Sequence, residues 1–154
     1  MAIKVLELHH HGIRVGPDAE SVERARRFYS DVLGLSPDPG RPHIPTIDGY
    51  WMDVGGQAQI HLMGVNGTSK FAETPERDPS QFHVALAVAD IQETIGELER
   101  LKVEFWVTRG VVGPESQQVF MKDPAGNMIE LHQAGTCRCK ATSRPASAAG
   151  SGMR

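Results

Sequence analysis

The sequence predicts an α+β protein made of two tandem modules, each with the element order βαβββ. The first observation is a repeat, because residues 10–15 (His-His-Gly-Ile-Arg-Val) and 83–88 (His-Val-Ala-Leu-Ala-Val) both read His-x-small-aliphatic-x-Val. The second is that each copy closes on a short apolar strand, at residues 60–62 (Ile-His-Leu) and 129–131 (Ile-Glu-Leu). The interval from the opening His to the centre of the closing strand is 51 residues in one copy and 47 in the other. The two copies therefore have nearly the same length.

The first module opens with a strand and a helix. Alternating side chains over residues 4–15 predict a strand. The helix starts near Asp18 or Ser21, both residue types that cap helices, and it stops at Gly34. Between these points, apolar residues recur at helical spacing, at Val22, Ala25, Tyr29 and Val32.

The rest of the first module contains a stretch without regular structure. Residues 36–50 hold four prolines and two glycines, which oppose regular structure. We expect this stretch to form a lid or the rim of a cavity, and to contain the short second strand of the module. A hairpin follows, with strands at 51–54 and 57–63 joined across Gly55 and Gly56. The first module is thus assigned to residues 1–64.

A polar linker over residues 65–80 separates the two modules, and the second module is assigned to residues 81–134. Its helix is opened by Asp90 with Glu93 three residues later, which is the spacing of a capping box. Residues 135–154 are rich in Ser, Ala, Gly and Arg, a composition that predicts a disordered tail. The remaining strands are predicted at 104–108, 117–122 and 128–132.

Composition excludes several classes of function. A net charge of −3 with interspersed acids and bases argues against a nucleic-acid partner. The sequence has neither a signal-peptide pattern nor a long apolar run, so no membrane association is expected. Cys137 and Cys139 lie too close in sequence for an ordinary disulfide, which favours a reducing compartment and a cytoplasmic location. Small molecules and copies of the same chain are the expected partners.

Four residues that can bind metals occupy equivalent points of the two modules, namely His10, His61, His83 and Glu130. Strand alternation points His10 away from its neighbours His9 and His11, and the repeat aligns it with His83. A pseudo-twofold relation between the modules would bring all four together. Imidazole and carboxylate donors suit Zn, Ni, Co, Mn or Fe(II).

The chain resembles the vicinal oxygen chelate superfamily, which includes glyoxalase I, bleomycin-resistance proteins and extradiol dioxygenases. The resemblance extends over residues 4–134. It implies that the two modules form a curved mixed sheet around a metal-binding cleft. The motifs that carry it are residues 8–15, 25–35, 83–85 and 123–131.

The resemblance also implies a site and a range of reactions. His10, His83 and Glu130 correspond to metal ligands, His61 would be either a fourth ligand or a base just outside the ligand set, and Glu130 or His61 would move a proton. The main expectation is a glyoxalase I-like lyase or isomerase that chelates its substrate through two neighbouring oxygens. An Fe(II) extradiol-type dioxygenase and a non-catalytic drug- or metabolite-binding protein are the alternatives. A homodimer is expected from the metal-bearing relatives, whose sites often form across a twofold dimer. A monomer in which the two modules close on each other would give the same set of ligands.

Three further residues are candidates for binding the substrate. Arg14 corresponds to a glyoxalase I arginine that pairs with a substrate carboxylate, although a salt bridge to a neighbouring acid is an equal alternative. Tyr50 and Trp51 could line an apolar cavity or belong to the plain core.

Overall fold

The computed structural model describes residues 3–135, which form one eight-stranded mixed sheet with two helices. The predicted disordered tail, apart from Gly135, and its two cysteines lie outside the described residues. The first module contains β1 (Val5–Gly16), α1 (Ala19–Arg27), β2 (Ser36–Pro37), β3 (Asp48–Val54) and β4 (Ala58–Gly64). The second contains β5 (His83–Val88), α2 (Ile91–Arg100), β6 (Phe105–Arg109), β7 (Gln117–Lys122) and β8 (Met128–Gln133).

The two modules join edge to edge through their first strands. The strand order is β2-β3-β4-β1-β5-β8-β7-β6, with β1 antiparallel to β5. Within each module the first and last strands are parallel neighbours, β1 with β4 and β5 with β8. The modules are therefore related by a pseudo-twofold axis between β1 and β5. The prediction of two βαβββ modules in one curved sheet is confirmed.

The helix limits follow from their caps. The Asp18 carboxylate accepts a hydrogen bond from Ser21 N (2.8 Å) and starts α1. This helix continues as a π-helix over Phe28–Val32, and the chain then turns at Gly34, whose φ of +70° favours glycine. Asp90 caps α2 by accepting from the backbone N–H groups of Gln92 and Glu93.

A β-bulge in β1 changes the direction of the histidine side chains. Leu8 pairs with Leu86 and His10 pairs with Ala85, so β1 has one residue more than β5 over this interval. His9 and His10 are both buried as a result, and their Nδ1 atoms lie 2.7 Å apart. The prediction that His10 points away from His9 is wrong, because the extra residue interrupts the alternation.

The linker is held against β1 by a buried polar cluster. The Asp78 carboxylate, which is fully buried, accepts hydrogen bonds from Ser69 and from Ser80 through both backbone and hydroxyl donors. The Arg14 guanidinium contacts the same carboxylate and two backbone carbonyls of the linker. The connection between the modules is therefore packed as part of the fold.

Apolar clusters lie on both faces of the sheet. One packs α2 against the second module and is centred on Val88, Leu98, Val119 and Leu131. The other lies under the proline-rich segment and is formed by Ile44, Ile47, Trp51, Met63 and Val65. No helix among residues 3–135 combines the length and apolar character needed to cross a bilayer.

Candidate metal centre

Three of the four predicted ligands meet near the pseudo-twofold axis. His10 comes from β1, His83 from β5 and Glu130 from β8, and all three are buried. His83 Nε2 lies 3.1 Å from His10 Nε2 and 3.1 Å from Glu130 Oε2, and the remaining edge, His10 Nε2 to Glu130 Oε2, is 3.6 Å. Among the described residues, these three form the group that could hold a metal ion.

The spacing of these donors fits a divalent cation. Protein nitrogen and oxygen ligands lie about 2.0–2.2 Å from zinc, so neighbouring donors around one ion are separated by roughly 2.8–3.6 Å, from octahedral to tetrahedral angles. All three edges of the triangle fall in that range. Two imidazoles and one carboxylate on one face also leave positions open for a substrate. The residues present therefore fit a metal ion.

Each histidine of the triangle is oriented by a contact on its other ring nitrogen. His83 Nδ1 lies 2.7 Å from the carbonyl oxygen of Gln81, so Nδ1 carries the hydrogen and Nε2 faces the other donors. His10 Nδ1 lies 2.7 Å from His9 Nδ1. With a metal on His10 Nε2, His10 Nδ1 would donate to His9, which must then be neutral. Burial, together with the neighbouring His132 and His10, lowers the pKa of His9 to about 2, which agrees with a neutral ring.

Contacts among the three residues shift their pKa values. Burial opposes charge on both His83 and Glu130. The hydrogen bond and attraction to Glu130 nevertheless raise the pKa of His83, and the contacts with His10 and His83 hold the pKa of Glu130 well below its usual range. Burial lowers the pKa of His10 to about 4 despite its contact with Glu130. Contact with Glu130 thus favours the charged form of His83, whereas burial favours the neutral form of His10.

His61, the fourth predicted ligand, lies beside the triangle with its ring parallel to that of His10. The two ring centroids are 3.6 Å apart, and Trp51 stacks on the opposite face of His61 at 4.6 Å. His61 Nε2 lies 3.0 Å from Gln59 Oε1. The donor atoms grouped within 4.8 Å of one another in the described part of the chain do not include one from His61.

The tautomer of His61 follows from its neighbours. The Gln59 amide nitrogen donates to the carboxylates of Asp38 and Asp53, which leaves Gln59 Oε1 as the acceptor facing His61. His61 Nε2 therefore carries the hydrogen and Nδ1 holds the lone pair. Burial keeps the pKa of His61 well below its usual range, so the ring is neutral.

A cavity of about 70 Å³ opens onto the triangle. His10, His61, His83 and Glu130 line one part of it. Much of its wall is apolar and includes Ile44, Ile47, Trp51, Val111, Val112 and Phe120. The expectation that the proline-rich stretch forms a cavity rim is confirmed, since Ile44 and Ile47 belong to that stretch.

Tyr50 and Trp51 point to opposite faces of β3, as neighbours in a strand must. Trp51 lines the cavity. The Tyr50 hydroxyl donates to the Glu23 carboxylate on α1 (3.2 Å), and the Arg26 guanidinium lies 5.8 Å from its ring centroid. The structure therefore places Trp51 but not Tyr50 at the predicted substrate site, because strand alternation directs Tyr50 towards the helix.

Arg14 is also placed away from the cavity wall. Its guanidinium donates to Gly67 O (2.7 Å), to the Ser80 carbonyl and hydroxyl (3.1 and 2.7 Å) and to Asp78 Oδ2 (3.2 Å). The described residues that line the cavity do not include it. The alternative of a salt bridge to a neighbouring acid matches this arrangement.

Two titratable residues of the cavity wall, His132 and Arg41, were not predicted as site residues. His132 is 4% exposed and lines the cavity. Its position two residues after Glu130 on the same strand was the available signal. Arg41 also lines the cavity, but its location depends on how the proline-rich stretch folds back, which no local pattern specifies.

Comparison with solved structures shows the same fold elsewhere. Methylmalonyl-CoA epimerase from Mycobacterium tuberculosis is 25% identical with a TM-score of 0.63, over 97% of each chain. A hypothetical protein from Bacillus halodurans C-125 is 23% identical with a TM-score of 0.61, over 82% of this chain and 93% of that one. A Streptomyces coelicolor methylmalonyl-CoA epimerase in complex with 2-nitronate-propionyl-CoA is 16% identical with a TM-score of 0.61, over 90% and 99%. These last two likenesses concern the fold alone.

Comparison with curated proteins found no match. The family comparison is decisive, because residues 8–131 match the family described as the Glyoxalase/Bleomycin resistance protein/Dioxygenase superfamily. That match spans both modules and all three residues of the candidate metal centre. The predicted resemblance is confirmed, and the chain belongs to the Glyoxalase/Bleomycin resistance protein/Dioxygenase superfamily.

Proposed function

We propose that this protein is a divalent-metal-dependent lyase or isomerase of the glyoxalase I type. Its substrate would be a small molecule that binds through two neighbouring oxygens. The observation that carries the proposal is the buried triangle of His10, His83 and Glu130 at the wall of a largely apolar cavity. Such a cavity excludes water and strengthens electrostatic interactions with the substrate.

A divalent ion held by His10, His83 and Glu130 would supply Lewis acidity that stabilises negative charge developing on the substrate oxygens. A side chain of the protein must then remove a proton from the substrate and return it. His61 has a neutral ring with a lone pair on Nδ1, and it lies against His10 in the same cavity. It is the candidate for removing and returning a proton, and Trp51 holds its ring in place by stacking. Glu130, the other predicted catalytic residue, would act mainly as a ligand.

Isomerase chemistry is also supported by the likeness to methylmalonyl-CoA epimerase from Mycobacterium tuberculosis at 25% identity over nearly the whole of both chains. An epimerase moves a proton at a carbon centre, which is the same class of step. The present chain has a histidine, His61, as the candidate acid-base group.

Iron-dependent dioxygenase chemistry is the second candidate. Two histidines and one glutamate on a single face are the donor set of non-haem Fe(II) oxygenases, and the described triangle has this composition. A glyoxalase-type reaction and a dioxygenase reaction differ in metal and in co-substrate, so they can be separated by experiment.

The test begins with elemental analysis of untagged protein that has not met a chelator. Protein loaded with Zn, Ni, Co or Mn is then incubated in D₂O with methylglyoxal hemithioacetals and related keto acids, and proton exchange is followed by NMR. Metal-dependent exchange would support the proposal. Stoichiometric iron with catechol-dependent oxygen uptake would favour the dioxygenase. If the protein contains no metal as purified and takes up none on loading, the remaining function is that of a small-molecule binding protein.

A homodimer is part of the proposal. Leu6, Leu8 and Phe82, at or next to the two central strands, are 50%, 47% and 56% exposed in the single chain. Apolar side chains of this size near the pseudo-twofold axis are suited to a self-complementary contact. Light scattering of the wild type and of Leu8→Ser would test it, with a dimer expected for the first and a shift towards monomer for the second.

A further inference from the structure

We propose that Arg41 binds an anionic group of the substrate, and that the ligand is therefore a carboxylate-bearing molecule whose other end chelates the metal. This inference rests on the proposed function, since it concerns another residue of the same cavity wall. Arg41 lies in the proline-rich segment, and its side chain lines the cavity that also contains His10 and Glu130.

The guanidinium of Arg41 has unused hydrogen-bonding capacity. It carries five N–H donors, of which one is given to the carbonyl of Pro42 (3.2 Å) and one to the carbonyl of Ile47 (2.8 Å). Its Nε atom is buried without a hydrogen-bond partner. A buried donor that is left unpaired is costly, which indicates a position that a ligand completes.

The charge of Arg41 is also only partly compensated. No carboxylate within residues 3–135 forms an ion pair with it, whereas Arg14, Arg24, Arg26, Arg77 and Arg100 each have one. Burial lowers the pKa of the Arg41 side chain, and the nearby Asp48 offsets this only in part. A cation held in an apolar wall attracts an anion more strongly than one in water, because the surrounding dielectric is low.

The backbone at Gly49 leaves space for the Arg41 side chain. At Gly49 an added Cβ would lie 3.1 Å from a terminal nitrogen of Arg41, and 2.2 Å from the Leu62 carbonyl oxygen. The absence of a side chain at Gly49 leaves room for the guanidinium beside β3. The two carbonyl contacts then hold the planar group in one orientation, as bidentate recognition of a carboxylate requires.

The apolar part of the cavity wall selects the rest of the ligand. Ile44, Ile47, Val111, Val112 and Phe120 line it with hydrocarbon. A ligand with two chelating oxygens, a short apolar spacer and a terminal carboxylate would offer one group each to the metal triangle, the apolar wall and Arg41.

Two hydroxamates of equal shape test this inference. Succinohydroxamate carries a terminal carboxylate, and 4-methylpentanohydroxamate carries an isopropyl group of similar size in its place. Both chelate metals through two oxygens. Titration calorimetry on manganese-loaded protein should show succinohydroxamate binding about tenfold or more tightly than the neutral compound. Arg41→Gln should remove that preference and leave the affinity for the neutral compound unchanged.

Two controls separate charge from folding. Arg41→Lys keeps the cation and should retain part of the preference, and Arg24→Gln changes an exposed arginine on α1 and should retain all of it. Thermal unfolding of each variant shows whether the fold is intact. Equal binding of the two hydroxamates by the wild type, or a preference that survives in a folded Arg41→Gln variant, would overturn the role of Arg41 while leaving chelation in place.

The same titrations on metal-free protein distinguish the two proposals. Hydroxamate affinities that do not depend on metal would overturn the proposed chelation. In that case the Arg41 anion site is still supported if the wild type prefers the carboxylate compound and Arg41→Gln does not. If the wild type shows no such preference, the anion site is overturned together with the chelation.

Discussion

The imidazole of His83 lies directly over Gly12, its partner in the β1–β5 pairing. A Cβ built on Gly12 would fall 2.3 Å from His83 Cε1 and 2.6 Å from its Nε2. Glycine is therefore required at position 12 by the close approach of a candidate metal ligand, since the backbone of β1 forms one side of the space that the ring occupies.

Gly12→Ala should displace the His83 ring and weaken metal binding without unfolding the protein. Outer contacts that orient metal ligands are worth about 10–100-fold in affinity, and a similar loss is expected here. Competition with a fluorescent chelator would measure it. Gly96→Ala is the matched control, because Gly96 has open space around it on α2 and its replacement should leave affinity unchanged. If a folded Gly12→Ala variant keeps the wild-type affinity for the metal, the close approach of the His83 ring to Gly12 is not needed for metal binding.

Substitutions within the cavity should separate the ligands from the acid-base residue. His10→Ala and Glu130→Ala should each reduce metal affinity by at least about 100-fold, since each removes a direct donor. His61→Gln should keep stoichiometric metal and lower proton exchange by about 100-fold or more, the usual contribution of general acid-base catalysis. Loss of metal from His61→Gln, measured by elemental analysis after dialysis, would instead assign His61 to the ligand set.

Much of the fold could be predicted because its determinants are local. The alternation in β1, the caps at Asp18 and Asp90 and the glycines at 55 and 56 each act within a few residues. The repeat then related the two halves, so that His10 and His83 could be matched before their distance was known.

The features that could not be predicted depend on contacts between distant parts of the chain. The bulge that turns His9 inward arises from the pairing of β1 with β5, and nothing within residues 5–16 specifies it. Arg41 reaches the cavity only because its segment folds back over β3 at Gly49. The resemblance suggested a substrate role for Arg14, whereas tertiary contacts with Asp78 and Ser80 place it in the linker cluster.

Removing Arg14 should destabilise the protein rather than weaken ligand binding. Asp78 is fully buried, and Arg14→Met would leave its carboxylate without a cation. Breaking such a pair costs several kcal/mol when both partners are buried, and partial exposure of Arg14 reduces the expected loss to about 2–3 kcal/mol. Urea unfolding would measure it, with the exposed Arg24–Glu20 pair as a control through Arg24→Met. If Arg14→Met instead lowers the affinity for the hydroxamates and leaves stability unchanged, Arg14 is a substrate-binding residue.

The stability of the metal-free protein should fall as the pH decreases from 7.5 to 5. Histidines in the unfolded chain titrate near pH 6.5, whereas burial lowers the folded pKa of His9 to about 2 and that of His10 to about 4. Below pH 6.5 the unfolded chain therefore binds more protons, and each of these two residues removes about 2 kcal/mol of stability at pH 5. The raised pKa of His83 acts in the opposite direction, because its contribution is complete below pH 6.5 and is lost as the pH rises.

His9→Asn isolates one of these contributions. It removes the buried titrating ring and should reduce the loss of unfolding free energy between pH 7.5 and pH 5 by about 2 kcal/mol, whatever its effect on stability at pH 7.5. Urea unfolding of chelator-treated protein at several pH values gives this slope directly. His43→Asn, at an exposed position in the proline-rich segment, is the matched control and should keep the wild-type slope. An unchanged slope in His9→Asn would mean that folded His9 takes up its proton as readily as a histidine in the unfolded chain, and that burial does not hold its ring neutral at pH 5.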